Sequence, residues 1–521
     1  MSLSGSPRPR LLRLGVAVAM LSASGCIFNK LSVEDVPRTD ALTVVASPVK
    51  AHMLDGATVV FSRGAAVGGG FVKGDGERYA LGSMNPVIVS TVPLDSVVGM
   101  ESYQIRVDKA PTMLATTGAV IVGAVATAGA LVAILGSCPT FYSDSSGTPV
   151  LEAEGFSYSI APLFEQRDVD RLRTGVSPDG TVRLEVRNEA LETHYINHLE
   201  LIETRHLPGE TVVPDQRGLP LVLGPMSPAQ NARDRAGRDV SRVLASTDGN
   251  IFATDASTLA AADSTDLEDY VDITVPRPAS GDSIAVAFRL RNSLLNTVLL
   301  YDGILADPGA ASLDWLGRDM QKITNAIDIG RWYSKHMGMR ISVREGGRYR
   351  EVARFIDKGP IAFHDVAVII PAPPGDSVRI RLSFVADDWR IDRVSFATKF
   401  SHAPVRTIPL HGVVGSDGAA DTAAFASLAA ADDRYLTTGP GQRFSARFAT
   451  GSIARDSVRT FMLASQGYYT EWVRGNWINK KSAAAKPFVA SQASIAKAIG
   501  RWRSKQSDLE QQFYSTAIPT R

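Results

Sequence analysis

The segment Thr181-Val182-Arg183-Leu184-Glu185-Val186-Arg187 alternates without interruption between apolar and charged residues. Successive side chains of a strand point to opposite faces, so Val182, Leu184 and Val186 would line a core while Arg183, Glu185 and Arg187 meet water. The same period of two returns in Ile284 to Arg291, with Ile284, Val286, Phe288 and Leu290 inward. It returns again in Val378 to Val385, with Val378, Ile380, Leu382 and Phe384 inward. Half-apolar strands of this kind build antiparallel sheets with one face exposed. Met339 to Phe355 reads as a hairpin turned at Gly346-Gly347.

Outward from these strands the chain divides. Residues 43–110 form a small β-rich unit, with strands at Val44 to Val49, Thr58 to Phe61 and Val87 to Val92. Turn chemistry at Asp55-Gly56, Gly68-Gly69-Gly70 and Asp75-Gly76 separates them. Residues 113–136 are uncharged and rich in Gly and Ala. They read as one hydrophobic helix, inserted in a membrane or buried in the protein; both readings stay open. A β-sandwich module is expected over 138–224, then an Ala/Asp-rich insertion over 225–270, part helix and part loop. A second, jelly-roll-like sandwich is expected over 271–410, carrying a helix at 312–333. A closing β module over 411–480 and an amphipathic helix over 483–514 complete the chain. Ile495, Ile499, Trp502 and Leu509 share one face of that helix. The fold class is therefore mainly β, with sandwich modules, a barrel-like N-terminal unit and few helices.

Composition narrows the chemistry. A net charge of +1 gives no electrostatic pull towards nucleic acid. Of the two cysteines, Cys26 and Cys138, only Cys138 lies beyond the N-terminal segment, so zinc sites built on paired cysteines are excluded. Arg8, Arg10 and Arg13 precede an apolar run from Leu14 to Leu21, and Ala23-Ser24-Gly25-Cys26 follows. This segment resembles a bacterial lipoprotein signal. The resemblance implies removal of residues 1–25, a lipid on Cys26, membrane lipid as a partner and a polar tether over 26–42. Ile27 carries no acidic retention signal, so the outer membrane is the expected site.

Further resemblances concern the modules. The 43–110 unit is similar to barrel-like units of other bacterial lipoproteins. Cys138-Pro139-Thr140-Phe141-Tyr142-Ser143-Asp144, with Gly147 closing the turn, resembles a strand-turn element of large bacterial surface and repeat proteins. Glu192-Thr193-His194-Tyr195-Ile196-Asn197-His198-Leu199 resembles the strand that accompanies it, and Arg459 to Leu463 with Gly467-Tyr468-Tyr469 its closing piece. Such modules also occur in uncharacterised envelope lipoproteins. Residues 280–400 have the rhythm of galactose-binding-like jelly rolls. None of these resemblances carries catalytic residues.

Candidate sites come from residue type and spacing. His194, His198 and His206 could supply three imidazoles to zinc, although no HExxH arrangement is present. Asp387 and Asp388, with Asp392 nearby, offer hard oxygens for calcium or an acidic turn. Trp332 and Trp389 could stack on a sugar, or fill a core. No G-x-S-x-G elbow or phosphate loop occurs. The expectation is a non-catalytic binding or scaffold protein of the envelope without a cofactor, held to a second copy or another envelope protein. A glycan-binding or carbohydrate-active protein, and a metal-dependent hydrolase at the histidines, are the alternatives.

Overall fold

The computed structural model describes residues 29–37, 41–46, 49–53, 58–61, 63–79, 87–107, 138–145, 147–160, 162–190, 192–263, 265–299, 335–439, 441–451, 458–471, 492–515 and 520. Cys26 and its signal, the 113–136 helix, the 312–333 helix and Trp332 lie outside them. Among the described residues, no helix is long and apolar enough to cross a membrane.

The protein is mainly β, built from antiparallel sheets. Eight strands between Asn29 and Val107 form one sheet with its own core, in which Val49, Val59, Phe61, Val72 and Met100 are buried. The expected tether is not one over Asn29–Asp35, which is a strand of this sheet paired along its length with Val97–Val107. The glycine turn falls where the sequence places it: Gly69 and Gly70 both adopt positive φ between strands Ala65–Gly68 and Phe71–Tyr79.

From Cys138 onward, two sandwiches are nested. In the outer one, strand Thr181–Arg187 lies between Thr140–Ser145 and Arg443–Ala449. Its alternation is realised directly, with Val182 opposite Phe448, Leu184 opposite Ala446 and Val186 opposite Phe444. The facing sheet runs Gln166–Arg171, Val458–Glu471, Glu192–His206, Val405–Pro409. Phe141, Phe156, Leu199, Leu201, Phe461 and Leu463 fill the space between the two sheets.

The inner sandwich leaves the outer one after Leu223 and returns at Phe400. There strand Phe400–His402 pairs with Pro220–Leu223. One inner sheet holds Ser283–Asn292 between His364–Pro371 and Trp389–Ala397. The other holds Glu268–Pro276, Ser377–Val385, Met339–Glu345 and Arg348–Phe355, the last two forming the expected hairpin. Phe288, Ile380, Leu382, Phe384 and Trp389 lie in the core between them.

Three further expectations change here. The modules do not follow one another in order: residues 138–224 and 400–471 are halves of one sandwich, because Thr181–Arg187 and Glu192–His206 find partners more than two hundred residues later. Residues 225–270 are an integral part of the inner sandwich. Ala232, Val240, Leu244 and Phe252 are buried in its core, and Ala232–Asp234 and Glu268–Pro276 are strands of its sheet. The segment's many charges pair locally, Arg238 with Asp234 and Asp255, and Arg235 with Asp266. Asp255 also caps the helix Ala256–Ala261 by accepting from the Ser257 and Thr258 amides. Third, Ser283–Asn292 is buried on both faces. Ala285, Ala287, Ala367 and Ala397 leave room for the small sheet carrying Val213, Leu221 and Leu223 to pack close behind it.

The helix Gln492–Ser515 docks on the inner sandwich through Ile495, Ile499, Trp502 and Leu509, against Leu259, Leu295, Val298 and Val385. Arg503 ties it further, donating to the Ala260 carbonyl at 2.6 Å.

Candidate functional site at the seam between the sandwiches

Strand Gln166–Arg171 is an edge of the outer sandwich and His364–Pro371 an edge of the inner one. Edge strands present polar groups that need cover. Here they meet, and Asp168, Val169 and Asp170 are buried in succession. Lys358 crosses the seam from the inner sandwich, its Nζ 2.6 Å from Asp168, 3.4 Å from Asp170 and 3.1 Å from the Val169 carbonyl. His364 Nδ1 lies 2.6 Å from Asp170. Asp365 accepts from Arg289, Arg393 and Arg171, at 3.1, 3.1 and 3.4 Å.

Burial governs the protonation of these groups. It opposes ionisation of Asp170, yet the charges of Lys358 and His364 prevail and hold that carboxyl at about 2. Asp168 is pushed up by burial, with Lys358 opposing and the charge of Asp170 adding to the rise. Burial alone would weaken Lys358 as a base, but Asp168 and Asp170 hold it well above the usual lysine range. Glu154, wholly buried, is pushed up by burial to about 7, although the Ile361 and Ala362 amides donate to its Oε2 at 2.8 and 3.2 Å. Gly359 makes this approach feasible. Its φ is +118°, and a Cβ there would sit 2.5 Å from both Glu154 Oε1 and Ser157 Oγ.

Above this buried network lies a small cleft of about 60 Å³, lined among others by Tyr158, Arg167, Gln216, Arg217, Arg354 and Lys358. Its polar groups are fixed in place: Arg167 pairs with Glu200 at 2.7 Å, Arg217 with Asp215 at 3.1 Å, and Gln216 donates to the Arg354 carbonyl at 2.6 Å. An ordered rim of guanidinium, carboxylate and amide groups suits recognition by hydrogen bonding.

The sequence-derived candidates lie elsewhere. His194 and His198 are parted by a register shift between Ile196 and His198, which puts them on opposite faces of their strand. His194 Nε2 is 3.2 Å from Glu192. His198 is held below the usual histidine range by burial and by Arg167, with Glu200 and Asp432 opposing. His206 shares the face of His198 but stands about 26 Å along the strand, its Nε2 3.0 Å from Thr460 Oγ1. The three imidazoles do not converge. Among the described residues, no group of three or more His, Cys, Asp or Glu is placed to hold a metal.

Asp387 and Asp388 are not a solvated turn: both are buried beneath the C-terminal helix. Asp387, at φ +65°, accepts from Arg390 Nη1 at 2.7 Å and from Trp502 Nε1 at 2.5 Å. Trp389 is 0% exposed, so its ring fills the core and has no face to offer a sugar. Asp392 pairs with Arg289 at 3.2 Å. Sequence reasoning passed over Glu154, Asp168, Asp170, Lys358 and His364. The only signal was the polar parity of Gln166 to Arg171, which reads as a wet strand face until its partner, nearly two hundred residues later, is known.

No family model matches the sequence, and no curated protein matches it. Among solved structures, the C-terminal CBM6 of LamC, a marine laminarinase from Zobellia galactanivorans, aligns at 9% identity and a TM-score of 0.14, covering 38% of this chain and 99% of that one. A GH31 alpha-xylosidase from Xanthomonas citri aligns at 8% identity and 0.15, covering 84% and 38%. The secreted serine protease VesC from Vibrio cholerae aligns at 8% identity and 0.12, covering 72% and 99%. Similarities at these TM-scores carry no argument about fold or function.

Proposed function

We propose that this chain is a lipid-anchored bacterial envelope protein whose nested sandwiches form a rigid, non-catalytic binding platform, with the inter-sandwich cleft as the binding face. The observation that carries the binding part is the seam. Its buried ion pairs lock two sandwiches into one orientation and set fixed polar groups around an open cleft. The anchoring part rests on Ala23-Ser24-Gly25-Cys26 behind its basic and apolar segments, and two or more acyl chains give stable attachment. The missing acidic residue after Cys26 favours the outer membrane.

Metabolic labelling with palmitate in a Gram-negative host tests the anchor. The full chain takes up label and sediments with outer-membrane fractions, and Cys26→Ser loses both properties. Label retained by Cys26→Ser would refute the anchor. The cleft is tested separately by pull-down from envelope extracts with Arg167→Ala and Arg217→Ala. A partner held by the native chain and lost by both variants supports the platform reading, whereas identical capture by all three refutes the cleft as its face.

A further inference from the structure

The outward face of one inner sheet is unusually rich in arginine. Strands Met339–Glu345, Arg348–Phe355 and Ser377–Val385 hold seven arginines, two glutamates and no lysine or aspartate. Glu345 pairs with Arg350 and Glu351 with Arg354. From the neighbouring strand Glu268–Pro276, Glu268 pairs with Arg340 and Asp272 with Arg381. Arg344, Arg348 and Arg379 are exposed and meet no carboxylate among the described residues.

Two of these free cations stand beside an ordered platform. Val378, Ile380 and Leu382 face the core, so Arg379 and Arg381 point outward, about 7 Å apart along their strand. Arg381 donates to both oxygens of Asp272, at 2.7 Å each. Its guanidinium stacks 3.8 Å from the ring centroid of Tyr270 and 4.4 Å from that of Tyr349. The Tyr349 hydroxyl donates to Asp272 as well, at 3.1 Å. Arg344 pairs with Tyr349 across the hairpin, and the residue before it, Val343, pairs with Ile380. Arg344 and Arg379 are therefore neighbours on adjacent strands of one face. Like charges so placed repel, and an anion shared between them relieves the repulsion.

We infer that this face binds an acidic polysaccharide, its anionic groups held by Arg344 and Arg379 beside the Tyr270–Arg381–Tyr349 stack. An arginine fork matches the paired oxygens of a carboxylate or sulfate. The half-exposed tyrosines offer flat rings against which a sugar can lie. A protein partner would look for an apolar anchor, and among the described residues no large apolar side chain is exposed on these three strands. The net charge of +1 over the whole chain gives little pull on a polymer as densely charged as nucleic acid. None of the residues that make this site lines the cleft, and the site needs neither the cleft nor the lipid anchor.

The test uses the detergent-solubilised full chain and three immobilised probes: polygalacturonate, dextran sulfate and neutral dextran. The native chain should bind at least one acidic polymer and ignore neutral dextran; which acidic polymer binds tells carboxylate from sulfate. Arg344→Gln with Arg379→Gln should weaken binding about tenfold or more, through the loss of charge-assisted donors. The same neutralisation at Arg183 and Arg434, exposed on the outer sandwich, should leave it unchanged. In the native chain, bound polymer should also shield Arg344 and Arg379 from phenylglyoxal, read by mass spectrometry, while Arg183 and Arg434 stay reactive. That readout needs no variant to fold. Absence of binding to both acidic polymers at up to about 1 mM sugar acid, the weakest useful affinity, overturns the inference. So does equal affinity in the double variant without shielding, or tighter binding to single-stranded DNA than to either polymer.

Discussion

Replacing Lys358 with Met keeps most of the apolar stem and removes the charge that bridges the seam. The Lys358 side chain is 19% exposed, while those of Asp168 and Asp170 are 2% and 4% exposed. Solvent cannot replace the lost ammonium at those two carboxylates. Removing one partner of a buried ion pair costs about 3–5 kcal/mol. At about 1.4 kcal/mol per factor of ten, that corresponds to between two and nearly four orders of magnitude in the equilibrium for opening the seam. Hydrogen exchange read by mass spectrometry locates the effect. Peptides covering Gln166–Arg171 and His364–Pro371 should exchange faster by that factor in Lys358→Met, while peptides covering Thr181–Arg187 and Ser377–Val385, deep in the separate cores, change far less. Adding Asp168→Asn should restore much of the protection, because the buried charge is removed with its partner. A change below about tenfold at the seam would refute the reasoning, since a pair worth under about 1.4 kcal/mol behaves as a surface ion pair.

The seam also makes stability depend on pH. Between 4.5, the ordinary value for Glu154, and about 7, the folded protein keeps a proton that the unfolded chain has released, so stability falls as pH rises through this window, by roughly 3 kcal/mol. Asp357, pushed up to about 7 by burial, acts in the same direction. Urea midpoints at pH 5 and 8 should therefore differ less in Glu154→Gln than in the native chain; equal differences would contradict the assignment. Asp170 works the opposite way. Its contribution is present above its ordinary 3.8 and is lost as pH falls from there through about 2, so Asp170→Asn should flatten the acid limb of the same titration. Trp502→Ala should cost about 3–5 kcal/mol of helix docking, seen as rapid tryptic cleavage near Arg501 and Lys505; a cleavage rate matching the native chain would show that Ile495, Ile499 and Leu509 suffice. Gly467→Ala would place a Cβ 2.4 Å from the Tyr195 carbonyl, backbone that cannot swing aside. It should lower stability by about 1–3 kcal/mol, measured as a shift in melting temperature, and no shift would mean that the adjoining bulge gives way.

The elements could be read wherever local chemistry decides them. Thr181–Arg187 and Ser377–Val385 follow from alternation alone, the hairpin of Met339–Glu345 and Arg348–Phe355 from its paired glycines, and the docked face of the last helix from the spacing of Ile495, Ile499 and Trp502. What could not be read depends on distant partners. Nothing near Leu223 announces that its strand will be completed by Phe400–His402. The histidine candidates failed for a similar reason. Strand parity would put His194 and His198 on one face, but a bulge set by pairing with Val458–Glu471 reverses it. Residues 225–270 misled by composition: Ala232, Val240, Leu244 and Phe252 among their few apolar side chains are buried, and charges such as those of Arg238 and Asp234 pair at short range. The seam was hidden in a largely polar strand, Gln166–Arg171, because a polar strand face buried against another sandwich looks the same in sequence as one facing water.

The nesting has a mechanical consequence. The inner sandwich is attached at two points, Leu223 and Phe400, which are neighbours in a hydrogen-bonded ladder. Tension transmitted along the backbone from Cys138 to the far end of the outer sandwich would cross that ladder and bypass the inner sandwich. The inner domain would then keep its shape under a load that strains its host, and unzipping of Pro220–Leu223 from Phe400–His402 would be the step that first exposes it to the pull.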